Sequence, residues 1–271
     1  MKDILPAAHK ARIGIGAFNA ANFETAMAII QAAEEEKSPV ILQLYMRMFD
    51  SNKAKWLGGA LIRMAKDCSQ PVALHLDHGK SLEQVKHALE WGYTSVMLDG
   101  SNLPFDENVA ITAEAARLAH AAGASCEGEI GHVAMGDQTA YTDPDEAAKF
   151  AAATGVDALA VSIGTVHGYY KAAPLIRADL CANIAAKIPD LPLVLHGGTG
   201  TPMADVQKVI REGITKINIA TQFQDCYLKA MEAELKKLNG AFLPVDKFMD
   251  PPTDACVAHI RKLIRQFALK E

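Results

Sequence analysis

The sequence predicts an α/β fold: one (β/α)8 TIM barrel with an extra C-terminal helix. Three observations point there. Eight short apolar runs alternate with helix-like stretches along the 271 residues. Several of those stretches stop at a glycine shortly before the next run, at Gly92, Gly123, Gly155 and Gly213. The runs mostly do not alternate with polar residues, as befits parallel strands covered by helices. An open, doubly wound sheet usually has fewer strands and a Gly-rich phosphate loop after its first one. Here G-I-G-A-F at 14–18 lies inside the first run and opens no such helix. It carries no dinucleotide meaning.

The predicted strands are residues 13–18, 39–44, 72–77, 95–99, 125–130, 158–163, 192–196 and 216–220. Between them, Asn22 reads as the cap of a helix with Phe23, Met27 and Ile30 on one face. Ser81 followed by Gln84 has the capping-box spacing, ahead of Leu82, Val85 and Leu89. Asp143-Pro144-Asp145-Glu146 supplies an N-cap, a proline at the first helical position and an acid at the third. Thr201-Pro202 repeats that opening. The tail from about residue 239 holds P-V-D-K-F-M-D-P-P-T-D and then an amphipathic stretch, 254–269. It reads as an extra helix over the barrel or at a subunit contact. No linker or composition shift divides the chain, so residues 1–271 read as one domain.

Half of the residues are hydrophobic and 22% are charged, which is the balance of a soluble globular protein. The net charge is −5 and no basic cluster occurs, so no nucleic-acid partner is expected. The first ten residues lack an apolar h-region, and no apolar run has the length of a membrane span. The five cysteines are scattered and odd in number, with no CxxC. A reducing, cytoplasmic setting with free thiols is the simple expectation.

Three apolar runs end in a histidine beside small or acidic residues. They are V-A-L-H-L-D-H-G at 72–79, L-A-V-S-I-G-T-V-H-G at 159–168 and P-L-V-L-H-G-G-T-G at 192–200. A lone histidine is more often a satisfied core or loop residue. Three in one context, the first preceded by Asp77, point to a site. His78, His167 and His196 have the ligand type of a Zn²⁺ centre that keeps one position open for substrate. In a barrel the C-terminal strand ends form the active-site face. Here those ends carry Asn19, Asp77, Asp99, Glu127, Glu129, Asn218 and Thr221, with Lys171 beyond strand six. The strand interiors read as aliphatic.

G-G-T-G at 197–200, read as opening a helix, is built for an anion. Its glycines permit close backbone approach, and N–H groups with the helix dipole favour phosphate. Alone it is an ordinary tight turn; its place after His196 raises it. Asn218 and Thr221 add donors there, and Lys171 adds charge. A zinc centre beside a phosphate site suits carbonyl chemistry on a sugar phosphate. The metal polarises a ketone and stabilises an enediolate. A carboxylate, best supplied by Asp77, moves a proton on the substrate hydroxyl.

These residues resemble the class II, zinc-dependent ketose-bisphosphate aldolases of the fructose- and tagatose-bisphosphate type. The matching segments are G-A-F-N (16–19), H-L-D-H-G (75–79), M-L-D-G-S (97–101), G-E-I-G (128–131) and Y-T-D-P-D-E-A (141–147). They continue with T-G-V-D-A-L-A-V-S-I-G-T-V-H-G (154–168), L-V-L-H-G-G-T-G-T-P (193–202) and K-I-N-I-A-T (216–221). The resemblance implies a carbon–carbon lyase of carbohydrate metabolism. It would cleave a ketose (bis)phosphate reversibly to dihydroxyacetone phosphate and an aldehyde. It implies Zn²⁺ on His78, His167 and His196, with Asp77 transferring the C4-hydroxyl proton. It implies Asp99 and Glu129 at a second or alternative position for a divalent or monovalent cation. Gly168, Lys171, Gly198, Thr199, Asn218 and Thr221 would hold the dihydroxyacetone phosphate, with Asn19 as a further substrate contact. Thr199 stands where the family often has serine and keeps the hydroxyl. A homo-oligomer, dimer or tetramer, is also implied.

The chain departs from the family pattern on the aldehyde side. Where the family has a Gly- and acid-rich loop, residues 131–140 form a short loop with one acid, Asp137. Where it has a small hydroxyl residue after strand two, this chain has Tyr45 and Arg47. The expectation is an aldolase whose aldehyde need not be glyceraldehyde 3-phosphate. Two other readings are weaker. A metal hydrolase on this barrel lacks its usual His-x-His, because G-A-F-N-A-A-N occupies strand one. A non-catalytic sugar-phosphate-binding barrel has no need of Asp77 together with three histidines. Of the other histidines, His75 reads as a core or supporting imidazole and His132 as a loop residue of either kind. His9, His87, His120 and His259 read as solvated.

Overall fold

Eight parallel strands close into a barrel in chain order, with β8 pairing back onto β1. A computed structural model describes residues 1–131, 141–170 and 174–270. The strands are β1 (Ile15–Asn19), β2 (Val40–Tyr45), β3 (Val72–Gly79), β4 (Ser95–Leu98), β5 (Ser125–Ile130), β6 (Ala158–Val161), β7 (Leu193–Leu195) and β8 (Ile214–Ile219). Every predicted strand is present, with ends moved by two residues at most. The helices are α1 (Leu5–Ala11), α2 (Phe23–Glu36), α3 (Lys53–Asp67), α4 (Leu82–Glu90) and α5 (Phe105–Ala121). They continue with α6 (Pro144–Thr154), α7 (Ala178–Lys187), α8 (Met203–Arg211), α9 (Thr221–Leu238) and α10 (Val245–Phe267).

The helix starts follow from their caps. Asn22 accepts from the Thr25 N–H at 3.0 Å, and the Thr25 hydroxyl accepts from the Asn22 N–H at 3.1 Å. Asp143 accepts from the N–H groups of Asp145 and Glu146 at 2.9 and 3.0 Å. Ser81 caps α4 by accepting from the Gln84 N–H at 3.2 Å. The Gln84 side chain accepts from Lys80 rather than Ser81, so that cap is one-sided.

Two apolar layers result from strand alternation. Outward residues such as Phe18, Leu42, Leu74, Leu159, Leu195 and Ile219 pack under the helices. Each large one contributes about 1.5–3 kcal/mol relative to exposure. Inward residues Ile15, Ala17, Ile41, Ala73, Ala158, Ala160 and Val194 form a second, smaller cluster. Leu5 and Ala8 of α1 close that cluster. This helix was not among the predicted ones. It also corrects the expectation for His9. That ring lies 3.1 Å from the Thr215 hydroxyl and 2.8 Å from the Pro189 carbonyl, so it ties α1 to β8.

The expectation of aliphatic strand interiors holds only for part of the barrel. Gln43, His75, Glu127 and Lys216 also lie inside the strands, and all four are fully buried. The C-terminal helix α10 starts at Val245, well before the predicted 254. Pro251 and Pro252 are inside it. They withdraw the N–H groups that Lys247 and Phe248 would use, near the helix start, where Lys247 is exposed and water can serve its carbonyl. The helix lies over the barrel against α2 and α9, and the Phe267 carbonyl accepts from Gly14 N–H at 2.9 Å.

Candidate active site

Asp77 and His78 are consecutive, so a regular strand would point them to opposite faces. The register of β3 on β4 slips between Leu76 and Gly79, and His78 has φ = 52°. This bulge turns His78 to the same cavity as Asp77. A second slip between β7 and β8, at Leu193 and Val194, inserts Thr215. Beyond it, Lys216 and Asn218 face the interior while Ile217 and Ile219 pack outward.

The imidazoles converge. His196 Nδ1 lies 2.8 Å from His78 Nε2. The ring of His167 stands 5.1 Å from that of His78 and 6.0 Å from that of His196, centre to centre. One nitrogen from each falls within 4.8 Å of the other two. Tetrahedral zinc with bonds near 2.0–2.1 Å needs its nitrogens roughly 3.3 Å apart, so small rotations bring the three into place. His78 with Asp99 and Glu129 makes a second group within the same 4.8 Å limit. The two groups use opposite sides of one ring: Nδ1 of His78 is 2.7 Å from Asp99 Oδ2.

Asp77 is held from both sides. Asn19 Nδ2 donates to its Oδ2 at 2.7 Å, and Asn218 Nδ2 donates to its Oδ1 at 3.2 Å. Gln43 in turn donates to Asn19 Oδ1 at 3.0 Å. Asn19 and Asn218 therefore line the cavity but commit amide groups to Asp77. Burial alone raises the Asp77 carboxyl; the nearby His78, His196 and Lys216 outweigh it and hold it below the usual range. Burial alone lowers an imidazole; at His78 the carboxylates of Asp77, Asp99 and Glu129 outweigh it and raise it to about 10. His167 lacks such support, and burial with its two imidazole neighbours lowers it to about 3. The carboxylates thus favour positive charge at His78, a place that a cation could take from the proton, while His167 keeps the neutral form that binds a metal.

Gly168, Gly198, Thr199, Asn218 and Thr221 line the same cavity of about 390 Å³. The helix that serves this corner is not the predicted one. α8 begins only at Met203, whereas α9 begins at Thr221, and Gln222 N–H donates to the Thr199 hydroxyl at 3.3 Å. The positive end of α9 and the 197–200 backbone offer N–H groups and a helix dipole that suit an anion. Tyr169 donates to Asp225 at 2.7 Å, which ties that tyrosine to α9. At the other rim, Tyr45 sets its edge against His78 with ring centres 5.9 Å apart. The Arg47 guanidinium lies 4.9 Å over the Tyr45 ring, and Lys80 lines the cavity beside them. Lys171, Asp137 and His132 lie outside the described residues.

Sequence reasoning missed Lys216 and passed over Glu127 as a site residue. Glu127 Oε1 is 2.8 Å from His196 Nε2, and its Oε2 is 2.8 Å from Lys216 Nζ. The signal available was opposite charge on two strands, Glu127 in S-C-E-G-E-I and Lys216 in I-T-K-I-N-I.

The model of the family described as fructose-bisphosphate aldolase class-II matches residues 1–271. The chain belongs to the class II fructose-bisphosphate aldolases. It is 39% identical to the fructose-bisphosphate aldolase of Geobacillus stearothermophilus over 98% of this chain and 96% of that one. It is 37% identical, with the same coverage, to that of a Staphylococcus epidermidis strain. Among solved structures it resembles the YdjI aldolase of Escherichia coli K12, with a TM-score of 0.88, 32% identity and 98% and 96% coverage. Members of the family are carbon–carbon lyases acting on sugar phosphates, and the expected fold and reaction class stand. Among the described residues no helix is long and apolar enough to cross a membrane.

Proposed function

We propose that this pocket cleaves a ketose bisphosphate or ketose 1-phosphate to dihydroxyacetone phosphate and an aldehyde, using Zn²⁺ held by His78, His167 and His196. The observation that carries it is the grouping of three histidine nitrogens within 4.8 Å of one another, beside Asp77 and the glycine-rich 197–200 corner of one cavity. When bound, Zn²⁺ supplies a Lewis acid for the C2 carbonyl and for the charge that develops there. Asp77, ionised and held by two amides, accepts the C4-hydroxyl proton. The C3–C4 bond then breaks, its electron pair moves toward C2, and the C4 oxygen becomes the aldehyde. Gly198, Thr199, Thr221 and Gly168, with Lys171, bind the phosphate of the retained half. Asp99 accepts from Nδ1–H of His78 and so orients it, the usual partner of a metal-bound imidazole. With Glu129 it also offers an alternative position for a second divalent or monovalent cation.

Tyr45, Arg47 and Lys80 face the aldehyde half and suit an anionic or hydroxylated group on it. Asp137 is proposed as the loop acid. Exposed Leu228 and Phe242, 63% and 89% accessible, support a homo-oligomer, dimer or tetramer. Five free cysteines support a cytoplasmic setting. The test is cleavage of fructose 1,6-bisphosphate, tagatose 1,6-bisphosphate and a panel of ketose 1-phosphates, followed as released dihydroxyacetone phosphate. Cleavage that a chelator stops and Zn²⁺ restores is expected. Zinc-loaded protein that cleaves none of them would overturn the reading.

A further inference from the structure

Lys216 is fully buried inside the barrel, in register with Ile15 of β1 and Val194 of β7. An ammonium there is costly to desolvate, and an apolar residue of similar size would fill the space more cheaply. The charge therefore has something to hold. Its Nζ lies 2.8 Å from Glu127 Oε2 and donates to Asn218 Oδ1 at 2.8 Å.

Each contact leads to a different half of the chemistry. The other oxygen of Glu127 is 2.8 Å from His196 Nε2. A carboxylate accepts only, so the proton of His196 sits on Nε2 and the Nδ1 lone pair faces His78. On the other arm, an ammonium donates only, so Asn218 must turn its oxygen to Lys216. Its Nδ2 is then free to donate to Asp77 Oδ1, at 3.2 Å.

We propose that Lys216 is a positioning residue of the aldol reaction. Through Glu127 it sets the tautomer and aim of a metal-binding imidazole, and through Asn218 it sets the orientation of the proton-transferring Asp77. One ammonium thereby fixes the distance between the metal focus and the proton acceptor. The inference rests on the aldolase reading given above, so its test carries a readout that needs no turnover.

The experiment uses the full chain, with Co²⁺ as the probe metal. Lys216→Met is compared with the parent for Co²⁺ affinity by chelator competition, for the visible Co²⁺ spectrum, and for kcat and KM. Lys216→Met is expected to fold and to lose Co²⁺ affinity by roughly 10–100-fold, with an altered spectrum. Its kcat stays low even when saturated with Co²⁺, because Asp77 has lost its bearing, while KM moves little because the glycine-rich 197–200 corner is untouched. Glu127→Gln is expected to weaken Co²⁺ binding but to recover more of kcat at saturating metal. If Lys216→Met does not fold, the pair Lys216→Met with Glu127→Gln removes both buried charges and takes its place. A folded single or paired variant with parental Co²⁺ affinity, spectrum and saturated kcat would overturn the proposal. So would a paired variant that still fails to fold, since the pair would then belong to the core alone. A parent that binds Co²⁺ but cleaves no substrate would instead count against the reaction, leaving the metal arm readable by affinity and spectrum.

Discussion

Asp77 has three polar neighbours and little freedom to turn. Asn19 and Asn218 hold its two oxygens, and His78 follows it in a left-handed backbone conformation. Strain of that kind persists where the surroundings enforce it, and here it aims the imidazole. Asp77→Asn keeps the shape and removes the proton acceptor. It should lower kcat by roughly 10²–10⁴-fold while metal affinity stays near that of the parent. Equal losses in kcat and metal binding would assign Asp77 to the metal instead. Gly197 has φ = 67°, and an added Cβ would run into the Val166 carbonyl. Gly197→Ala should cost about 1–3 kcal/mol in backbone strain alone and displace the 197–200 backbone, seen as a raised KM and a lower Tm. At this scale the sequence was most informative where an apolar run stopped. The three histidines and Asp77 stood out because strand ends carry them. Lys216 did not, because a lysine in K-I-N-I-A looks the same facing water or facing in. Only the extra residue Thr215 decides that it faces in.

Among the elements, α2 and α10 show what capping and charge add to packing. Glu36, at the end of α2, accepts from Arg261 and Arg265 of α10 at 2.7 Å each, and Arg261 also reaches Glu35 at 2.7 Å. The hydrogen bond from Arg265 is the largest influence on Glu36 and holds its carboxyl below the usual range. A lowered folded-state pKa means stability that is present above the unfolded value and lost as pH falls through the folded one. Glu36→Gln should therefore lower Tm at pH 7 by about 2–4 °C, for a network worth about 1 kcal/mol. As pH falls through the lowered folded-state value of Glu36, the two melting temperatures should converge. A difference that does not shrink on acidification would show that packing, not charge, is responsible. The start of α10 was not legible because two prolines read as a stop. They sit in the second and third turns, and the carbonyl that Pro251 leaves without its N–H belongs to exposed Lys247, which water can reach. That G-G-T-G lines the cavity was legible, but not which helix stands beside it, since that depends on α9 docking beside Thr199.

For the whole molecule, the barrel was legible because each strand is apolar enough to be covered on its outer face. The apolar inner cluster beside α1 and the polar positions in the strand interiors were not. They depend on which side of each strand faces in, and two register slips change that. A site assembled from several strands should also respond as one body to its metal. Zn²⁺ at a thousand times its Kd adds about 4 kcal/mol to the folded state, on the order of 10 °C in Tm for a chain of this size. A chelator should reverse the gain. A melting curve indifferent to both would place metal binding outside the folded site.

The seam between β1 and β8 joins the two ends of the chain's strand order. Asn19 emerges early in synthesis, and Lys216 and Asn218 emerge late. A ribosome-bound chain that stops before β8 has every histidine of the focus but neither the ammonium nor the second amide that steadies Asp77. Such a nascent chain has ligands and no lock. Catalytic competence should then appear in one step, late in synthesis, when the last strand enters the ring and α1 can dock on it.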